Sequence, residues 1–271
     1  MRTRLQRPRA CDRKSNMHTL LKVGRFCFAI SIAFFGLQYL LYGRLVGGLP
    51  PVPPWTPGGR GLAYLIGVAL IATGLSIATL WHARLSATSL GVLFLLCVVF
   101  LHALRAAEVL HDGIARTRAF EPLALSGVAF ALAAILPLQR GYLGSPIGVN
   151  RLITLARILF ALCIVIFGVQ HFMYAPFIAF LVPSWIPGHL FWAYFTGGAF
   201  IAAGLSIATK IFAALAATLL GIMFLLWAAV LHAPRVVAQP RNGDEWTSAF
   251  VALAFAGGSF ILAAALSQND S

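Results

Sequence analysis

Gly74-Leu75-Ser76-Ile77-Ala78-Thr79 recurs without a change at Gly204-Leu205-Ser206-Ile207-Ala208-Thr209, and this hexapeptide decides how the whole chain is read. Working outward from it, 25 of 47 positions are identical between residues 59–105 and 189–235 with no gap. Leu101-His102-Ala103 and Arg105 return as Leu231-His232-Ala233 and Arg235, and Trp55 with Pro57-Gly58 returns as Trp185 with Pro187-Gly188. Phe35-Gly36-Leu37-Gln38 returns as Phe167-Gly168-Val169-Gln170. Self-similarity at a fixed period marks one structural unit written twice.

The unit is a membrane unit. Of 271 residues, 60% are hydrophobic and 10% charged, with a mean hydropathy of +0.88, against roughly 25% charged residues in soluble domains. Apolar runs long enough for a hydrocarbon core of about 30 Å recur along the chain. They predict spans near 25–43, 61–81, 87–104, 119–137, 153–174, 189–209, 211–233 and 247–266. The formal charge is +13, yet eight of the 20 Lys and Arg precede or open the first span. The positive-inside rule accounts for that cluster without nucleic acid. With the amino terminus inside, the cytoplasmic side holds 13 Lys and Arg and the other side seven, so both termini fall in the cytoplasm. No small-residue cleavage site closes the first apolar run, which reads as uncleaved.

The expected fold class is therefore all-α integral membrane, with eight transmembrane helices arranged as two parallel-repeat four-helix bundles. Each copy has an even number of spans, so the second enters from the same side as the first. The divisions are a basic cytoplasmic segment 1–24, a first membrane repeat 25–137, a linker 138–152, a second repeat 153–266 and a tail 267–271. The cysteines Cys11, Cys27, Cys97 and Cys163 form no CxxC pair and read as small hydrophobes.

Polar residues within a bilayer are the informative ones. Ser76, Thr79, Ser206 and Thr209 read as hydrogen-bonding within or between helices, and no chain of buried acids suggests coupled transport. The second copy gathers His171, His189, His232 and Arg235 at the outer ends of its spans, with Gln170, Trp185, Trp192, Glu245 and Trp246 nearby. Three readings compete for this set. One is an interfacial belt of amphipathic rings. Another is a pocket for a small hydrophobe with a polar head, such as a quinone. The third is a haem or metal site, disfavoured by the absence of HxxxH spacing. The first copy has Tyr39, Gly59 and Leu62 where the second has His171, His189 and Trp192, so the second is the better candidate for a specialised site.

The helix end Phe167-Gly168-Val169-Gln170-His171-Phe172, the loop Pro183-Ser184-Trp185-Ile186-Pro187-Gly188-His189 and Phe191-Trp192-Ala193-Tyr194 resemble the DoxX-like family of bacterial membrane proteins. Its members commonly consist of one four-helix unit. The resemblance, with its duplicate, covers about 240 residues and implies a multi-pass protein of the bacterial cytoplasmic (inner) membrane. It also implies a link to quinone chemistry, with electrons supplied by a redox partner protein, since no nucleotide, flavin or iron–sulfur motif is present. The competing expectation is a non-catalytic scaffold or assembly factor that presents the duplicated bundle to another membrane protein.

Overall fold

A computed structural model describes residues 10–43, 59–102, 106–136 and 146–267. The Arg-rich start, the proline-rich loop around Trp55, Arg105, the linker from 138 to 145 and the tail from 268 lie outside the described residues, as does the His102 side chain. The described residues are helical with no strand. The elements are α1 (Ala10–Tyr42), α2 (Gly59–Thr79), α3 (Ala83–Cys97), α4 (Ala106–His111), α5 (Gly113–Ile135), α6 (Pro146–Met173), α7 (Ala175–Leu181), α8 (His189–Thr209), α9 (Ala213–Trp227), α10 (Ala233–Ala238) and α11 (Gly243–Ser267). One π turn continues α3 through Val98–His102 and another continues α9 through Ala228–His232.

Among the described residues, eight helices are long and apolar enough to cross a membrane: Met17–Tyr42, Gly59–Thr79, Ala83–Phe100, Gly113–Ile135, Gly148–Met173, His189–Thr209, Ala213–Ala238 and Gly243–Ser267. The chain is a multi-pass membrane protein. Several spans begin earlier than hydropathy places them, because the helices continue through charged first turns such as Asp244-Glu245 of α11 and past Arg116 and Arg118 of α5. Glu121, half-buried inside α5, is an acid within a span that the hydropathy reading passed over.

The helices form a ring pinched at its centre. α1 packs on α2, α2 on α3, α3 on α5, α5 on α6, α6 on α8, α8 on α9, α9 on α11, and α11 returns to α1, while α5 and α11 meet across the middle. The buried share of the most apolar stretch is 72% in α5 and 78% in α11, against 17% in α9, so α5 and α11 are the shared wall and α9 faces outward. Two self-contained bundles side by side would pack α1 against α5. Instead the first helix of each half packs on the last helix of the other.

Small residues make these crossings possible, since association in lipid depends on close packing rather than on hydrophobic exclusion. A Cβ on Gly36 would lie 2.4 Å from the Gly67 carbonyl oxygen, and one on Gly168 would lie 2.8 Å from that of Gly197. At the contact between halves, a Cβ on Gly257 would lie 2.6 Å from the oxygen of Gly24, and one on Gly127 would lie 2.7 Å from that of Ala156.

Polar groups repeat with the same correspondence. Arg25 Nη1 donates to the carbonyls of Ile77 at 2.9 Å and Ala78 at 2.7 Å, closing the end of α2. Arg157 donates to Ile207 and Ala208 at the end of α8. Gln38 Nε2 donates to Gly243 O and to Thr247 Oγ1, both at 3.0 Å, while Gln170 Nε2 donates to Gly113 O at 3.0 Å and Thr117 Oγ1 at 3.2 Å. The α2–α3 turn uses left-handed Leu80 and His82, and the α8–α9 turn uses left-handed Lys210 and Phe212. Ser76 and Ser206 close these turns on the carbonyls of Trp81 and Ile211, and Thr79 and Thr209 bond back to Leu75 and Leu205 at 2.8 Å. These hydroxyls do what the sequence reading expects of them.

Candidate functional site

The packing order brings the C-terminal ends of α6 and α9 and the N-terminal ends of α8 and α11 to one end of the second half, where the nine candidate residues sit. They do not form one cluster, because each helix face turns its side chains toward a different neighbour.

Gln170 is buried and spends its amide on α5, as described above. Trp246 turns the other way, toward α1. Its ring centroid lies 5.5 Å from that of Phe34 and 6.3 Å from that of Phe250, and its Nε1 donates to Pro240 O at 2.9 Å. Trp185 is 69% exposed in the turn after α7, and His189 is the half-buried first residue of α8. These four hold or edge the bundle end.

His171 is half-buried and packs on the core. Its Nδ1 is 2.8 Å from Phe167 O, and its ring stands edge-on to Phe200 at 5.0 Å. From there an aromatic chain runs through Phe224, 5.3 Å from Phe200, to Phe255, 5.2 Å further. Phe255 also meets Phe160 and Phe167 at 5.9 and 5.8 Å, so this chain ties α6, α8, α9 and α11 together. The corresponding positions of the first half carry Tyr39, Leu70, Phe94 and Leu125. The second core is thus the more aromatic.

His232, Arg235 and Glu245 remain, and the structure adds Trp227 to them. Arg235 Nη2 lies 2.8 Å from Glu245 Oε1, an ion pair between α10 and the first turn of α11 in which the Glu245 side chain is 10% exposed. His232 is within electrostatic reach of both charges. Trp227 precedes His232 by five residues. The wider π turn brings positions that far apart nearer to one face than α-helical geometry does. Trp192 closes the side toward α8, its ring edge-on to Trp227 at 6.5 Å and its Nε1 donating to Pro187 O at 3.1 Å.

Three buried polar atoms in this group have no hydrogen-bond partner among the described residues: Trp227 Nε1, His232 Nδ1 and Glu245 Oε2. Leaving such an atom unpaired costs about 1–3 kcal/mol. Two polar ring atoms and a carboxylate oxygen are thus unpaired at the end of the second half that also carries the Trp192–Trp227 contact. Among the described residues, no three His, Cys, Asp or Glu side chains gather closely enough to hold a metal ion. A shallow depression of about 520 Å³ lined by Asn150, Arg151, Thr154 and Leu155 lies at the opposite end, at the start of α6.

Trp227 was legible only as a departure from the repeat, since the first half has Cys97 at that position. The π turn that follows it is announced by no local sequence pattern. No family model matches this sequence, and neither a characterised protein nor a solved structure matches it.

Proposed function

We propose that the chain is a tandem duplication of one four-helix membrane unit whose second half binds a small hydrophobic molecule by its polar head. The two halves, 25–137 and 153–266, run the same way across a bacterial cytoplasmic membrane with both termini inside. The equivalent Arg25 and Arg157 caps, and the equivalent Gln38 and Gln170 bonds, support the duplication. A DoxX-like membrane subunit fits this reading. In that case the bound molecule is a quinone or a compound like it, and a partner protein supplies electrons.

The observation that carries the binding function is the set of unpaired polar atoms at Trp227, His232 and Glu245. The first half has Cys97 for Trp227 and Ala115 for Glu245, so the carboxylate and the indole belong to the second half alone. A duplicated packing unit keeps what packing needs, and residues that differ between the copies are free to take up a ligand.

The test is to purify the protein from membranes in mild detergent, extract it with organic solvent and identify what is carried along. Wild type retains a stoichiometric small hydrophobe, and His232→Ala and Glu245→Ala, folded to the same thermal midpoint within a few degrees, lose it. Identical extracts from wild type and both variants, with no stoichiometric molecule in any, would overturn the binding function. A stable protein partner co-purifying equally with all three would then favour the scaffold.

A further inference from the structure

We infer that the outer site of the second half selects an amphiphile whose head donates a hydrogen bond, a hydroxyl in the first instance, over one whose head only accepts. The inference rests on the binding function proposed above and specifies its chemistry.

The argument turns on which partners the unpaired atoms can take. Glu245 is the fixed point: the residue is 8% exposed and its Oε1 is engaged by Arg235 Nη2 at 2.8 Å. A carboxylate held by a guanidinium carries its charge and has only acceptor atoms. Its Oε2, which has no partner among the described residues, can be satisfied only by a donor. Trp227 Nε1 is the converse, an N–H that can only donate. His232 Nδ1 takes either role according to the tautomer. A ligand head meeting both Glu245 and Trp227 must give one hydrogen bond and take one. A hydroxyl can give the bond that Glu245 Oε2 lacks and still accept one. A carbonyl or ether oxygen leaves Glu245 Oε2 without a donor, and a buried carboxylate oxygen left unsatisfied is costly.

The chemistry of the surroundings narrows the class further. Arg235 already neutralises Glu245, so a cationic amine would add an uncompensated positive charge beside the guanidinium. The same half carries the Trp192–Trp227 contact and the aromatic chain of Phe200, Phe224 and Phe255. Flat rings pack on such faces. The preferred ligand is a neutral phenolic or alcoholic head on an apolar body. Among redox lipids this selects the reduced, hydroxyl-bearing form over the oxidised, carbonyl-bearing one.

The experiment compares two probes that differ by one methyl group, 4-nonylphenol and its methyl ether 4-nonylanisole, binding to the full chain in nanodiscs. Competition for Trp fluorescence quenching by a brominated alkylphenol reports both affinities. The phenol binds at least about tenfold tighter than the ether, a difference of about 1.4 kcal/mol. Glu245→Gln, whose amide can donate as well as accept, narrows that ratio to about threefold or less. Trp227→Phe weakens both probes alike and leaves the ratio intact. Saturable binding of both probes with equal affinity to wild type would overturn the donor requirement and leave a binding site of other selectivity. Saturable binding of neither would overturn the site itself.

Discussion

Arg25 and Arg157 each close the last turn of a neighbouring helix from within the membrane boundary, α2 and α8 respectively. Both are buried, at 8% and 7% exposure, and their partners are backbone carbonyls that a helix end leaves without partners. Replacing Arg157 by Met should cost about 2–4 kcal/mol, since two charge-assisted bonds are lost and the carbonyls remain. Arg25→Met should cost a similar amount, and equilibrium unfolding in detergent measures both. If Arg157→Met unfolds like wild type, the cap is ornamental and the equivalence of the two arginines carries no weight. Gln170→Leu should cost less, about 1–2 kcal/mol, because bonds between helices in membranes are individually modest. The glutamines stood out in the sequence as a repeated polar pair, but their partners did not. Gly113, Thr117, Gly243 and Thr247 become partners only when the packing between halves is known. The arginines were masked differently. Arg25 ends a run of eight cations, and orientation alone explained the whole run.

The helices themselves were the most legible level, because eight apolar runs separated by short polar breaks admit few other readings. Their ends were less so. Hydropathy drops at Arg84, Arg116 and Asp244, whereas the backbone continues helical through these residues. The π turns after α3 and α9 were invisible, as they follow no residue preference that a window can detect. Glycine substitution tests the close crossings. Gly168→Ala would bring a Cβ to 2.6 Å from Ile201 Cγ1 and 2.8 Å from Gly197 O. It should destabilise by several kcal/mol, as over-packing in a tight contact does. Gly198→Ala, one residue past that partner, meets nothing within 4 Å and should be neutral or stabilising by up to about 1 kcal/mol from helix propensity. Thermal midpoints of the two variants in one detergent decide the matter. Equal effects would mean that α6 and α8 do not cross at these glycines.

At the scale of the molecule, the self-similarity of the sequence was legible from the hexapeptide outward, but the way its two parts pack was not. Identity between copies says that Gln38 and Gln170 do the same thing, without saying whether each does it within its own half. The answer comes from α5 and α11. Their stretches Ala124–Ala134 and Ala254–Leu266 are buried almost throughout, which fits helices enclosed on several sides and not the outer face of a four-helix bundle. A helix apolar all round is also what a lipid-exposed span looks like, so composition could not separate the two. The consequence is mutual dependence: α1 is incomplete without α11, and α6 without α5. The two halves produced as separate chains should therefore be recovered in folded form when co-expressed and not when expressed singly, as size-exclusion profiles in detergent would report.

The joining of the halves is tested most directly by disulfide trapping. Phe34 of α1 and Phe250 of α11 stack with ring centroids 3.7 Å apart and planes 9° from parallel, whereas Phe120, the counterpart of Phe250, lies on α5 in the half that contains Phe34. With the four native cysteines replaced by alanine, the pair Phe34→Cys and Phe250→Cys should cross-link rapidly under mild oxidation. The pair Phe34→Cys and Phe120→Cys should stay reduced. Cross-linking of the second pair without the first would mean that each half closes on itself, and would contradict the shared wall of α5 and α11.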